Sequence, residues 1–206
     1  HLLAYLFDPD DAGLRAEMER IRADRLGRAG RIVDNISRDF DLTWEDVLAA
    51  SQEGATIGRP HIADALVARG LARDRGDAFD GILHPRRGYY VGHYTPDLRR
   101  AVSLVVEAGG VPIMAHPAAR GRMLAPDVLE EFIAAGLAGF EIGHRENSES
   151  GRRALEHLAH RHDLIVTGSS DYHGAGKPNL PGEYTTTTPM VERIIERATG
   201  SAPVHP

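Results

Sequence analysis

The sequence predicts an α/β protein with a purely helical block set inside it, and three observations point there. Between about Asp11 and Gly109 the apolar residues recur at helical spacing almost without a break. After Gly109 the short apolar runs VPIMAH, GFEIGH and LIVTGSS alternate with amphipathic stretches. Ahead of both, the chain opens on HLLAYLFD, which reads as one more buried strand. Strands that alternate with helices imply parallel neighbours, covered on both faces or closed on themselves. The predicted organisation is therefore an α/β portion from residues 1–10 and 110–206, with a helical subdomain over 11–109.

Each element has a local reason. In LRAEMERIRADRLGRAGRIVDNI, the residues Leu14, Met18, Ile21, Leu26, Ile32, Val33 and Ile36 form one apolar stripe between arginines. TWEDVLAAS begins with a Thr-x-x-Asp capping pattern. RPHIADALVARG has Pro60 at a helix start and Gly70 past its end, and TPDLRRAVSLVVEAGG repeats that Pro start and Gly stop. Further helices are predicted near 126–135, near 149–162 and in MVERIIERA.

With 206 residues, 42% of them hydrophobic, the chain is long enough for a real core. A formal charge of −6 argues against coating nucleic acid by bulk electrostatics. No cysteine is present, which excludes disulfides, thiolate nucleophiles and cysteine-held zinc, so any metal must be bound by His, Asp and Glu. No apolar run approaches a membrane span and the opening lacks the marks of a signal peptide, so no membrane partner and a cytoplasmic location are expected. The chain starts in mid-strand without a methionine, and an upstream part of the same domain is expected.

In sheets of this kind, function collects at the carboxyl ends of the strands. There the sequence places His116 with Pro117, then Glu141 and His144, then Asp171 and His173. In VTGSSDYHGAGKP an apolar strand runs into a small-residue loop, and positions two apart face the same way, so Asp171 and His173 suit a shared metal ion. His116 ends an apolar strand that Pro117 stops. Glu141 points elsewhere if its strand alternates, and His144 has no assigned role. His157, His160 and His162, with Arg152, Arg153 and Arg161, read as a solvated helix face. Arg22, Arg25, Arg28 and Arg31 recur every three residues, either as a solvated stripe or as phosphate contacts. Arg59 and His61 sit at a helix start, where free N–H groups and the helix dipole favour an anion.

The segments HLLAYLFD, RPHIADALVARG, AGGVPIMAHP, GLAGFEIGH and TGSSDYHG together resemble the PHP (polymerase and histidinol phosphatase) superfamily. The resemblance is to its branch of small metal-dependent phosphoesterases, which act on nucleoside 3′,5′-bisphosphates or the 5′ ends of short RNA. It implies a distorted (βα)7 barrel with up to three divalent metal ions, of Mn, Fe, Zn or Mg type, and a helical subdomain inserted between barrel strands. It makes His1, otherwise uninformative at the amino end of its strand, a metal ligand beside His116, Asp171 and His173. Arg25, Arg28, Arg59 and His61 become the expected contacts to substrate phosphate. The implied partner is a small nucleotide or short single-stranded RNA, not a duplex. The family's first metal motifs lie upstream of the strand that begins here, and SSDYH stands where GSDFH is more usual. Two other readings stay open: a metal-dependent amidohydrolase, and a truncated or degenerate module that binds a nucleotide or phosphate without chemistry.

Overall fold

A computed structural model describes residues 1–52, 54–55, 57–173 and 178–204. The chain divides into two units, His1–Arg15 with Pro96–Pro206, and Ala16–Thr95.

The first unit is built on a sheet of four strands, β1 (Leu2–Tyr5), β2 (Val111–Met114), β3 (Gly139–Gly143) and β4 (Ile165–Gly168), in that spatial order. β2, β3 and β4 run parallel, as their alternation with helices predicts. β1 runs the other way, pairing antiparallel with β2 so that Leu2 lies opposite Met114. This reversal brings the amino end of β1 to the carboxyl end of β2, and the Ala115 N–H donates to the His1 carbonyl at 3.1 Å.

Successive residues of a strand face opposite ways, and each face of this sheet has its own apolar cluster. One contains Met114, Phe140, Ile142, Leu155 and Leu158. The other contains Val111, Ile113, Ala138, Ile165 and Ile194. Helices Leu98–Glu107, Pro126–Ala134, Glu149–Arg161 and Thr188–Arg197 supply the covering side chains. Phe140 is fully buried in the centre of the first cluster. Phe140→Ala is expected to cost about 3–5 kcal/mol of stability, read as a lower urea midpoint at an unchanged slope.

Gly139 and Gly151 allow two close approaches. A Cβ at Gly139 would stand 2.0 Å from the Ile165 carbonyl oxygen, and one at Gly151 would stand 2.3 Å from the Ala118 Cβ. The second contact lets the helix Glu149–Arg161 begin directly against the loop that follows β2.

The second unit is helical, and its core joins Ile32, Val33 and Ile36 to Leu42, Val47, Ile62 and Leu66. Its helices start where the sequence places them. Thr43 and Asp46 form the reciprocal capping box of helix Trp44–Ala49. Helix Arg59–Ala68 opens with Pro60 in its first turn, and Gly70 follows its end at φ 70°. Helix Leu98–Glu107, within the range the sequence assigns to the helical block, packs on β2 in the first unit.

Candidate metal and phosphate sites

The strand ends of the first unit converge. His1, at the reversed end of β1, has its Nδ1 3.2 Å from Nε2 of His116, which follows β2. The His116 ring lies 4.9 Å, centroid to centroid, from the ring of His144, which follows β3. The His144 Nε2 is 3.7 Å from an Asp171 carboxylate oxygen, and Asp171 follows β4. His173 closes the series, its Nδ1 3.4 Å from the other Asp171 oxygen. The four residues chosen from the sequence as metal ligands are thus linked in one run of neighbours, with His144 as the connecting ring.

Strain marks two of these positions. His116 has φ 33° and Asp171 φ 47°, in the left-handed region that costs a residue with a side chain about 1–3 kcal/mol. Glu141 holds the first in place: its carboxylate accepts the His116 N–H at 3.0 Å. Burial pushes the Glu141 carboxyl above its usual range, opposed by that hydrogen bond and by His144 nearby. Burial also pulls His116 below the usual histidine range, helped by the neighbouring His144. Asn147, almost fully buried, joins two loops. It accepts the Ala118 N–H at 3.0 Å and donates to the carbonyls of Glu141 and Ile142 at 2.9 and 3.0 Å.

The sequence reading places Glu141 and His144 at a strand end without assigning a role to either, and does not name Asn147. Glu141 does face away from Phe140 and Ile142, as alternation predicts, and from that side its carboxylate reaches the His116 N–H. His144 carried the same signal as His116, a histidine just past an apolar strand. Arg152 also departs from its expected solvated face. It is half-buried and donates to the His144 carbonyl at 2.6 Å, while His157, His160 and His162 are exposed as expected.

In the helical unit, Arg25, Arg28 and Arg59 line a cavity of about 190 Å³ with Ala29, Ile32, Ile57, Gly58 and Pro60. Arg28 is anchored by donating to the Val91 carbonyl at 2.6 Å, and Arg59 by donating to the Leu83 carbonyl at 2.7 Å. The Arg59 guanidinium lies over Phe79 and Tyr90, and its Nε is buried without a hydrogen-bond partner among the described residues. Burial and the nearby Arg28 charge lower the Arg59 pKa. None of the three arginines forms an ion pair with a carboxylate among the described residues, an arrangement that favours an anion. His61 does not line this cavity: its Nδ1 accepts the Gly58 N–H at 3.1 Å and serves the helix start instead.

No family model matches the chain. The 3′,5′-nucleoside bisphosphate phosphatase of Chromobacterium violaceum is 31% identical over 206 residues, an alignment covering 96% of this chain and 70% of that protein. The chain belongs to the PHP family. A phosphoribosyl 1,2-cyclic phosphate 1,2-diphosphodiesterase of Eggerthella lenta is 40% identical over 165 residues, covering 76% of this chain and 58% of the relative. A crystal structure from Bifidobacterium adolescentis, of a protein provisionally designated a metal-dependent phosphoesterase, superimposes with a TM-score of 0.88 at 43% identity. That match covers 97% of this chain and 71% of the other. An amidohydrolase structure from Chromobacterium violaceum, with bound sulfate and no metal, gives a TM-score of 0.73 at 27% identity, covering 97% and 72%.

The donor chemistry of this PHP chain suits a divalent cation. His173 is set as a ligand would be: its Nδ1 donates to the Asp171 carbonyl at 2.7 Å, which leaves the Nε2 lone pair for an ion. Imidazole nitrogens beside one carboxylate are borderline donors, acceptable to Mn, Fe or Zn. Among the described residues no three side chains stand ready as a cation cage. His1 and His116 bond to each other, so one lone pair of that pair is engaged. Residues 174–177, beyond His173, lie outside the described residues.

Proposed function

We propose that the protein is a metal-dependent phosphoesterase that hydrolyses a phosphate monoester or terminal phosphodiester of a small nucleotide, either a nucleoside 3′,5′-bisphosphate or a short RNA 5′ end. The observation that carries this reading is the convergence of His1, His116, Asp171 and His173 from the ends of three separate strands. The sheet would form part of the family's distorted seven-stranded barrel, with the helical unit as its insertion. Bound divalent ions, up to three, would polarise the phosphoryl oxygens and lower the pKa of an attacking water.

The chain's own residues do the rest. Imidazole nitrogens of His1, His116 and His173 and the Asp171 carboxylate would hold the ions. Glu141 keeps His116 in its strained conformation through the backbone bond. In the helical unit, Arg25, Arg28 and Arg59 would bind phosphate, and Arg28 and Arg59 are already anchored before a ligand arrives, which lowers the entropy cost of recognition. The acidic balance of the chain favours a small or single-stranded substrate over a duplex.

The test is phosphate release from a nucleoside 3′,5′-bisphosphate and from a short 5′-phosphorylated RNA. Activity is expected to vanish after dialysis against a chelator and to return with Mn²⁺. Arg59→Ala is expected to raise KM about 10-fold or more, the loss expected for one charge-assisted hydrogen bond. Mn²⁺-loaded protein that leaves both substrates intact, or that cleaves amides instead, would overturn the proposal.

A further inference from the structure

We infer that His144 is a positioning residue and not a metal ligand, donating its Nε2–H to Asp171 and so fixing how that carboxylate faces. The inference rests on the proposed metal role of Asp171.

A neutral imidazole has one N–H and one lone pair. The His144 Nδ1 accepts the Glu146 N–H at 3.1 Å, which spends the lone pair and leaves the proton on Nε2. His173 is the opposite case, its Nδ1–H given to the Asp171 carbonyl and its Nε2 left basic. Two histidines bordering the same carboxylate are therefore set in opposite tautomers. For His144 to bind a metal through Nε2 while neutral, Nδ1 would have to carry the proton, facing the Glu146 N–H donor to donor.

The ring has little freedom to escape this setting. His144 is 0% exposed. Its own N–H donates to the Ile142 carbonyl at 2.9 Å, and its carbonyl accepts from Arg152 at 2.6 Å. Asn147 ties the Ile142 carbonyl at the same turn. The Nε2 is buried without a hydrogen-bond partner among the described residues, and the Asp171 carboxylate is 3.7 Å away. A movement of about 1 Å would bring the pair to the length of a charge-assisted hydrogen bond, roughly 2.8 Å. A carboxylate held in this way presents its remaining lone pairs in a defined direction, the service that outer groups provide at metal centres.

Two-bond ¹H–¹⁵N spectra of the histidine rings test this without an activity assay. His144 is expected in the Nε2–H form in cation-free protein and to remain so when Zn²⁺ is added. An Nδ1–H form, or a His144 Nε2 that takes on the shift of a metal-bound nitrogen, would overturn the inference. Mn²⁺ affinity gives a second readout. His144→Leu is expected to bind about 10–100-fold more weakly, and His144→Gln, which keeps an N–H donor, to recover most of that loss. A Leu variant that binds Mn²⁺ like the parent overturns the inference; if that variant does not fold, the ring spectra of the parent protein decide. A parent protein that binds no divalent cation would strike down the metal assignment instead, with the cation-free spectra still deciding the His144 tautomer.

Discussion

Asp171→Asn is expected to reduce phosphate release by more than about 100-fold while leaving the fold intact, since groups one shell further from a metal already cost about 10–100-fold when changed. Asparagine has the size of aspartate, and it tolerates the left-handed backbone that position 171 adopts at φ 47°. What changes is charge. The variant loses the anion between the His144 and His173 rings, and with it the only carboxylate among the four proposed ligands. Turnover, bound Mn²⁺ per chain and thermal midpoint, measured together, separate the outcomes. Loss of the first two at an unchanged midpoint is expected. Activity within a few-fold of the parent would mean that Asp171 is no ligand.

Gly139→Ala should also lower stability strongly, by about 3 kcal/mol or more, at the upper end for an overpacked core. The added methyl would be 2.0 Å from the Ile165 carbonyl oxygen and 2.8 Å from the Ile113 Cδ1. The side chain could rotate away, but the carbonyl belongs to the backbone of the neighbouring strand. Relief would require β3 and β4 to separate, and this is the pair whose ends carry His144 and Asp171. Urea unfolding followed by far-ultraviolet circular dichroism reads the effect directly. A midpoint equal to that of the parent would show that the two strands are not as close as described.

How much of this could be read from the sequence varies with the kind of information required. Caps and helix periods are local, and the Thr43–Asp46 box, the Pro60 start and the Gly70 stop are found where the pattern placed them. The parallel strands after Gly109 were legible for the same reason, because a helix between two strands constrains their direction. The direction of β1 was not, since about a hundred residues separate it from its partner and no short connection dictates the pairing. That is why geometry alone could not bring His1 to the rim. Glu141 was visible at a strand end, but its bond to the His116 N–H depends on the path of the loop after β2, which hydrophobic alternation does not encode. His61 was read for its place at a helix start, which was right, but its ring nitrogen serves the backbone there and not the neighbouring cavity.

The antiparallel pairing of β1 has a consequence for tolerance to change. A β-strand turns over with every residue, so removing one residue between His1 and Tyr5 would exchange its two faces and turn the imidazole away from His116 while leaving every donor in the composition. At this edge of the sheet a deletion that touches no ligand should therefore be as damaging as loss of the histidine, whereas conservative exchanges at Leu2 or Leu3 should pass almost unnoticed.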